Sequence, residues 1–152
     1  MQARFKDFVR RRREALGITQ RELARRSQVK QPLIAAIESG LRQPSASALS
    51  ALSAALALRP SRALAAWKTE VQELFERRGL PPPRVFGSVA RGVDKEDSDL
   101  DLLVEFGAAH DIADLLALEE ELEALLTVET DIVDASSAGA VAELARSESV
   151  PL

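Results

Sequence analysis

The chain has 152 residues, no cysteine and a formal net charge of −4 at pH 7, which excludes a disulfide framework and a thiolate zinc site. No apolar run approaches the roughly 20 residues that cross a bilayer, and the opening MQARFKDFVRRRR has no apolar segment after its charges of the kind a secretory signal carries; a soluble cytoplasmic protein is expected. The near-neutral total hides opposite halves, since residues 1–60 hold 12 Lys+Arg against 4 Asp+Glu and residues 61–152 hold 8 against 20. Such asymmetry predicts two domains, the first facing nucleic acid and the second differently employed.

Phe5, Phe8, Val9 and Leu16 recur at helical spacing and predict a first helix over about residues 3–16, ended by Gly17, with Arg10 to Arg13 as its solvated face. Thr19 then caps a second helix, with Glu22 completing a capping box, Leu23 and Ala24 facing inward, and an end near Ser27. A third helix opens at Gln31-Pro32, buries Leu33, Ile34 and Ile37, and stops at Glu38-Ser39-Gly40. Ser45 caps a fourth, carrying Leu49, Leu52, Leu56 and Leu58. Two short helices joined by a few residues and preceded by a basic helix describe a helix-turn-helix unit.

The stretch TQRELARRSQVKQPLIAAIESGLRQPS resembles the Xre/lambda-repressor-type helix-turn-helix family over about residues 5–58. The resemblance implies that Gln20 contacts a phosphate, that Lys30, Gln31 and Ala35 face base edges, and that Arg42 touches the DNA backbone. The family commonly has glycine where this chain has Gln28, in the turn between the second and third helices; a left-handed backbone there costs glutamine more than glycine.

Pro60-Ser61 is the expected boundary, dividing a domain over 1–60 from one over 61–152, with Ser61 capping a long helix to about Arg78. Leu64, Trp67, Val71, Leu74 and Phe75 give it one apolar face, on which Trp67 is read as core packing. Gly79 and Pro81 to Pro83 lead into a short strand at Arg84 to Phe86. Gly87-Ser88 follows as a strand-to-helix turn whose open backbone and amides suit a phosphate, with Arg91 either adding charge there or pairing with a nearby carboxylate. Asp99 to Phe106, DLDLLVEF, reads as a buried strand whose alternation points Asp99 and Asp101 the same way. A helix over about Asp111 to Leu126 bears Glu119, Glu120, Glu121 and Glu123 on an acidic face read as solvated. Val128 to Asp134 is a third strand with Asp131 at its centre, Val141 to Arg146 a last helix, and ESVPL a terminal tail.

Paired carboxylates beside a phosphate cradle suit divalent magnesium ions that bridge a nucleoside triphosphate, with Asp131 completing the site for an attacking hydroxyl. VFGSVARG, SDLDLLVEF and TDIVD, in this order, closely resemble the minimal nucleotidyltransferase family of the polymerase-beta-like superfamily from about residue 65 onward. The whole fold is therefore expected to be an all-α helix-turn-helix domain followed by an α/β (α+β) polymerase-beta-like domain with a small mixed sheet. The resemblance implies a metal-binding and catalytic triad of Asp99, Asp101 and Asp131, with Gly87, Ser88 and Arg91 on the nucleotide.

Proteins of this kind are similar to the antitoxins of HEPN–MNT toxin–antitoxin pairs. That implies Mg²⁺-dependent transfer of AMP from ATP to a tyrosine of a HEPN ribonuclease toxin, repression of the operon through operator DNA, and a homodimer or toxin–antitoxin hetero-oligomer with no membrane partner. Two alternatives stand beside it: a transcriptional regulator whose transferase fold does not catalyse, and an antibiotic-modifying nucleotidyltransferase. The second fits a short chain less well, because little of it remains to bind a small-molecule substrate.

Overall fold

The computed structural model describes residues 2–152 and separates into two compact units, Met1–Leu58 and Arg59–Leu152. The first unit is helical: α1 (Gln2–Ala15), α2 (Gln20–Ser27), α3 (Gln31–Glu38) and α4 (Ala46–Ala55). Its core gathers Val9, Leu23, Ile34, Ile37, Leu52 and Leu56, one apolar stripe from each helix, with Phe5, Phe8 and Leu16 half-buried around it. Burying each such aliphatic side chain contributes about 1.5–3 kcal/mol, and this is what holds four helices too short to persist alone.

Three expectations need correcting here. Leu49 is 44% exposed, and Ala48 takes the inward position on α4. Only half of the capping box forms: Thr19 Oγ1 accepts from the Glu22 amide at 3.1 Å, while the Glu22 carboxylate turns to Arg26 at 2.9 Å and Arg25 at 2.6 Å. The basic run is not wholly solvated either, because Arg13 reaches across to Glu38 at 2.7 Å with the two side chains only 16% and 6% exposed. Arg12 lies over the Phe8 ring, 4.4 Å from its centroid, and donates to the Leu56 carbonyl. Long guanidinium stems on α1 cover the apolar seam that shorter polar residues would leave wet.

The second unit begins with α5 (Pro60–Ala66) and α6 (Lys68–Arg77). The expected single helix is broken at Trp67, whose φ of −114° and ψ of 22° leave the α region. Ser61 is not the cap: Arg59 holds that place with Pro60 in the first turn, and the Ser61 amide donates to the buried Asp94 carboxylate at 2.9 Å. There follow β1 (Arg84–Phe86), α7 (Gly87–Ala90), β2 (Leu100–Val104), α8 (Ile112–Leu126), β3 (Thr130–Asp134), α9 (Ala140–Glu148) and β4 (Val150–Pro151). The strands form one mixed sheet ordered β3-β2-β1-β4, parallel between β2 and β3 and antiparallel elsewhere.

The end of the chain is thus a strand rather than a tail. Val150 pairs with Val85, and Arg84 fixes the turn before it by donating to Ser149 Oγ at 2.9 Å and to the Ser149 carbonyl at 2.7 Å.

Strand alternation divides the sheet. Leu100, Leu102 and Val104 point to one face and are fully buried, as are Phe75, Leu118, Leu122 and Leu126. Asp101, Leu103, Phe86 and Val133 point to the other, where Phe86, Leu103 and Ala145 form a second small cluster. On α8, Ile112 and Leu116 are exposed at 70% and 54%, so its core face is narrower than the apolar content of its sequence suggests. No helix among the described residues is long and apolar enough to cross a membrane.

Candidate active site and DNA-facing surface

The site in the second unit is built where β1 ends. Phe86 is registered against Asp101, and the chain then turns at Gly87 into the single turn of α7. Gly87 has φ +68°, and a Cβ placed on it would run into Asp101 Oδ2 and lie 3.0 Å from Asp101 Cγ. Glycine is therefore required twice over, for its backbone conformation and for the room it leaves a carboxylate. Ser88 follows in the same turn, and its carbonyl accepts from the Val93 amide at 3.0 Å, closing the loop back on itself.

Parallel pairing sets Asp101 directly beside Asp131, and Leu100 beside Thr130. Asp99 precedes the first residue of β2 and lies on the same side as Asp101 by alternation. The sequence-predicted triad is thus gathered at neighbouring rungs of two strands, with Asp99 and Asp131 exposed and Asp101 half-buried. Its electrostatics reflect that crowding: burial, then the charges of Asp131 and Asp99, push the Asp101 carboxyl above its ordinary value, and Arg91 partly offsets them. Of the two roles weighed for Arg91, the pairing with a carboxylate is present, its guanidinium meeting Glu148 at 3.1 Å.

Glu129 is the acidic neighbour that sequence reasoning passed over. Its carboxyl is raised chiefly by a hydrogen bond with Asp99, and the Leu100 amide donates to its carbonyl at 2.9 Å. The available signal was its place two residues before Asp131, just ahead of β3, where extended backbone would turn it to the same side.

These hard oxygen donors, repelling one another beside Arg91, are of the kind that hold a divalent cation. Among the described residues no group of three or more histidine, aspartate or glutamate side chains is placed so as to hold a metal ion, so Asp99, Asp101 and Asp131 share a side of the sheet without forming the three-carboxylate metal set that was expected. Magnesium commonly takes one or two carboxylates and fills its shell with substrate phosphates and water.

In the first unit the expected DNA-reading residues divide into two sets. Gln20 and Gln31 are joined: Gln31 Nε2 donates to Gln20 Oε1 at 3.0 Å, Gln20 Nε2 donates to Glu38 Oε2 at 3.0 Å, and Glu38 is held by Arg13 at 2.7 and 3.0 Å. This relay ties the start of α3 to α2 and α1, so the Gln20 amide is engaged within the protein. Lys30, which caps the start of α3, and Arg42, four residues beyond its last residue, stand exposed, and Ala35 is half-buried. Gln28, in the turn, does adopt the left-handed conformation, with φ 60° and ψ 16°, and its amide donates to the Arg25 carbonyl at 2.8 Å.

Residues 9–62 match the family described as Helix-turn-helix, and residues 83–149 match that described as Polymerase beta, Nucleotidyltransferase. The chain is 48% identical over 66 residues to the protein named Protein adenylyltransferase MntA of Thermococcus cleftensis, covering 43% of this chain and 67% of that protein. A Methanocaldococcus jannaschii protein named as a candidate protein adenylyltransferase is 39% identical over 70 residues, which is 46% of this chain and 75% of the relative. An uncharacterized HTH-type transcriptional regulator of Mycobacterium tuberculosis is 45% identical over 76 residues, where the match spans 50% of this chain and 46% of the regulator. A solved structure of a candidate minimal nucleotidyltransferase aligns with a TM-score of 0.53 at 43% identity, over 60% of this chain and 95% of that one. From the Gly87 turn, the registered aspartates and these likenesses together, the chain belongs to the polymerase-beta nucleotidyltransferase family in its minimal form, joined to an Xre-type helix-turn-helix domain.

Proposed function

We propose that this protein is a two-part antitoxin: residues 61–152 transfer AMP from ATP, with Mg²⁺, to a tyrosine hydroxyl of a HEPN ribonuclease toxin, and residues 1–60 repress the operon by binding operator DNA. The observation that carries the transferase half is the registration of Asp101 with Asp131, with the Asp101 carboxylate lying against the Gly87 turn. The names of the relatives support a protein as acceptor.

In the reaction the acceptor hydroxyl oxygen forms a bond to the α-phosphorus of ATP. The bond from that phosphorus to the β-phosphate bridging oxygen breaks, pyrophosphate leaves, and the hydroxyl proton passes to Asp131 and on to solvent. Magnesium, when bound by Asp99 and Asp101, supplies charge stabilisation to attacking and leaving oxygens alike. Ser88 and the amides of its turn steady the outer phosphates, and Arg91 adds positive charge beside Asp101. Asp131, exposed on its strand, orients the hydroxyl.

Radiolabelled ATP incubated with the protein and its candidate toxin tests this directly: label passes to the toxin with wild type and not with Asp99→Ala plus Asp101→Ala. Absence of transfer from wild type would favour a regulator that keeps the fold without the chemistry. For the DNA half, gel shifts on the upstream region should weaken with Lys30→Ala and lose sequence discrimination with Gln31→Ala; unchanged behaviour in both would remove α3 as the reading helix.

A further inference from the structure

We propose that Glu119 and Glu123 of α8 are positioning residues for Asp131, holding β3 from the edge on which it has no neighbouring strand. This rests on the reading above, in which Asp131 serves the acceptor hydroxyl. Among the described residues β3 ends the sheet and pairs with β2 on one side only. In a parallel ladder the N–H and C=O of one residue address the same neighbour, and those of the next residue address the opposite side. The Leu100 amide donates to the Glu129 carbonyl at 2.9 Å and the Ala135 amide to the Val104 carbonyl at 2.8 Å. Residues 129, 131, 133 and 135 therefore face β2, and the backbone of Thr130 and Ile132 faces the open edge.

On that edge the Ile132 amide donates to Glu119 Oε1 at 3.1 Å, and the Thr130 amide donates to Glu123 Oε1 at 3.4 Å. The spacing is commensurate: four residues of helix rise about 6 Å, and two residues of strand advance about 6.6 Å. The two carboxylates thus stand in for the carbonyls of a missing strand, and their bonds bracket Asp131. They also blunt an edge that would otherwise invite pairing with another chain.

The consequence for Asp131 follows from its location. It is exposed, it belongs to an edge strand, and its ladder bonds come from one side. Edge strands open locally at lower free energy than central ones, and a slip of one residue would turn Asp131 to the opposite face of the sheet. Glu119 and Glu123 oppose both motions without touching the substrate.

The full-length chain is compared as wild type, Glu119→Gln, Glu119→Ala and Glu123→Ala, by backbone amide exchange at residues 130–133 and by transfer of label from ATP. In Glu119→Ala the Ile132 amide should exchange about 10-fold faster, as expected for losing roughly 1.4 kcal/mol of protection. Its kcat should fall about 10- to 100-fold with KM for ATP unchanged. Glu119→Gln keeps an oxygen acceptor in place and should restore both. Glu123→Ala should show the same pattern more weakly, its bond being longer, and serves if Glu119→Ala does not fold.

Unchanged Ile132 exchange in Glu119→Ala, or a kcat loss that glutamine does not restore, overturns the proposal. If wild type transfers no label, the functional reading above fails, and amide exchange decides the positioning separately. Exchange at Asp131 as well as Ile132 that quickens in Glu119→Ala and returns in Glu119→Gln supports it; exchange that quickens at Ile132 alone overturns it.

Discussion

Replacing Gly87 by alanine tests the site at its tightest point. The residue has φ +68°, a conformation that costs a residue with a Cβ about 1–2 kcal/mol. The added carbon would also collide with the Asp101 carboxylate, and overpacking of that kind adds about 1–3 kcal/mol. The two contributions together come to about 2–5 kcal/mol, and a unit of this size loses about 4–8 °C in thermal midpoint per kcal/mol. Gly79→Ala is the internal control: its φ is +66° and a Cβ there meets nothing within 4 Å, so it carries only the conformational part. Differential scanning calorimetry of both variants separates conformation from collision. Should Asp101 rotate away to make room, stability recovers but its carboxylate leaves the site, and label transfer falls instead. A Gly87→Ala variant that melts like Gly79→Ala and transfers label like wild type would refute the close-contact argument.

Asp101→Asn should raise the melting temperature of the metal-free protein at neutral pH. The Asp101 carboxyl is raised in the folded state by burial and by Asp131 and Asp99, so its stabilising contribution is complete below the ordinary carboxylate range of about 4 and is lost as pH rises through the raised value. The gain should vanish in acid, and magnesium should raise the melting temperature of wild type more than that of the variant; a gain that persists unchanged in acid would contradict this sign. Gln28→Gly should stabilise the first unit by about 0.5–1 kcal/mol in thermal or urea unfolding, because it relieves a left-handed glutamine at the expense of one exposed hydrogen bond. Destabilisation would show that the amide bond to Arg25 outweighs the backbone strain. Arg13→Ala should cost about 3–5 kcal/mol, since it strands the Glu38 carboxylate at 6% exposure with only Gln20 left to it; a loss below about 1 kcal/mol would place that pair among ordinary surface ion pairs.

Much of this protein was legible in the order of its residues. Helical periodicity and caps at Thr19 and Ser45 located the first four helices, because those signals act within one turn of the chain. The Gly87-Ser88 turn and the alternation at Asp99 and Asp101 were readable for the same reason: strand geometry fixes side-chain direction locally. What the sequence could not contain was the identity of partners far along the chain. The same acidic run on α8 that reads as a solvated face sends Glu119 and Glu123 to the edge of β3 and Glu121 to Arg78 at 2.7 Å. Arg13, one of four consecutive arginines, is a buried anchor for Glu38, and its neighbour Arg10 pairs on the surface with Glu14. The break at Trp67 and the strand at Val150–Pro151 likewise depend on what each segment packs or pairs against. Local backbone geometry determined where the chain turns and which way its aspartates point; only the tertiary fold decided which charges are solvated and which hold the site together, because burial and ion pairing belong to contacts between segments rather than to any one of them.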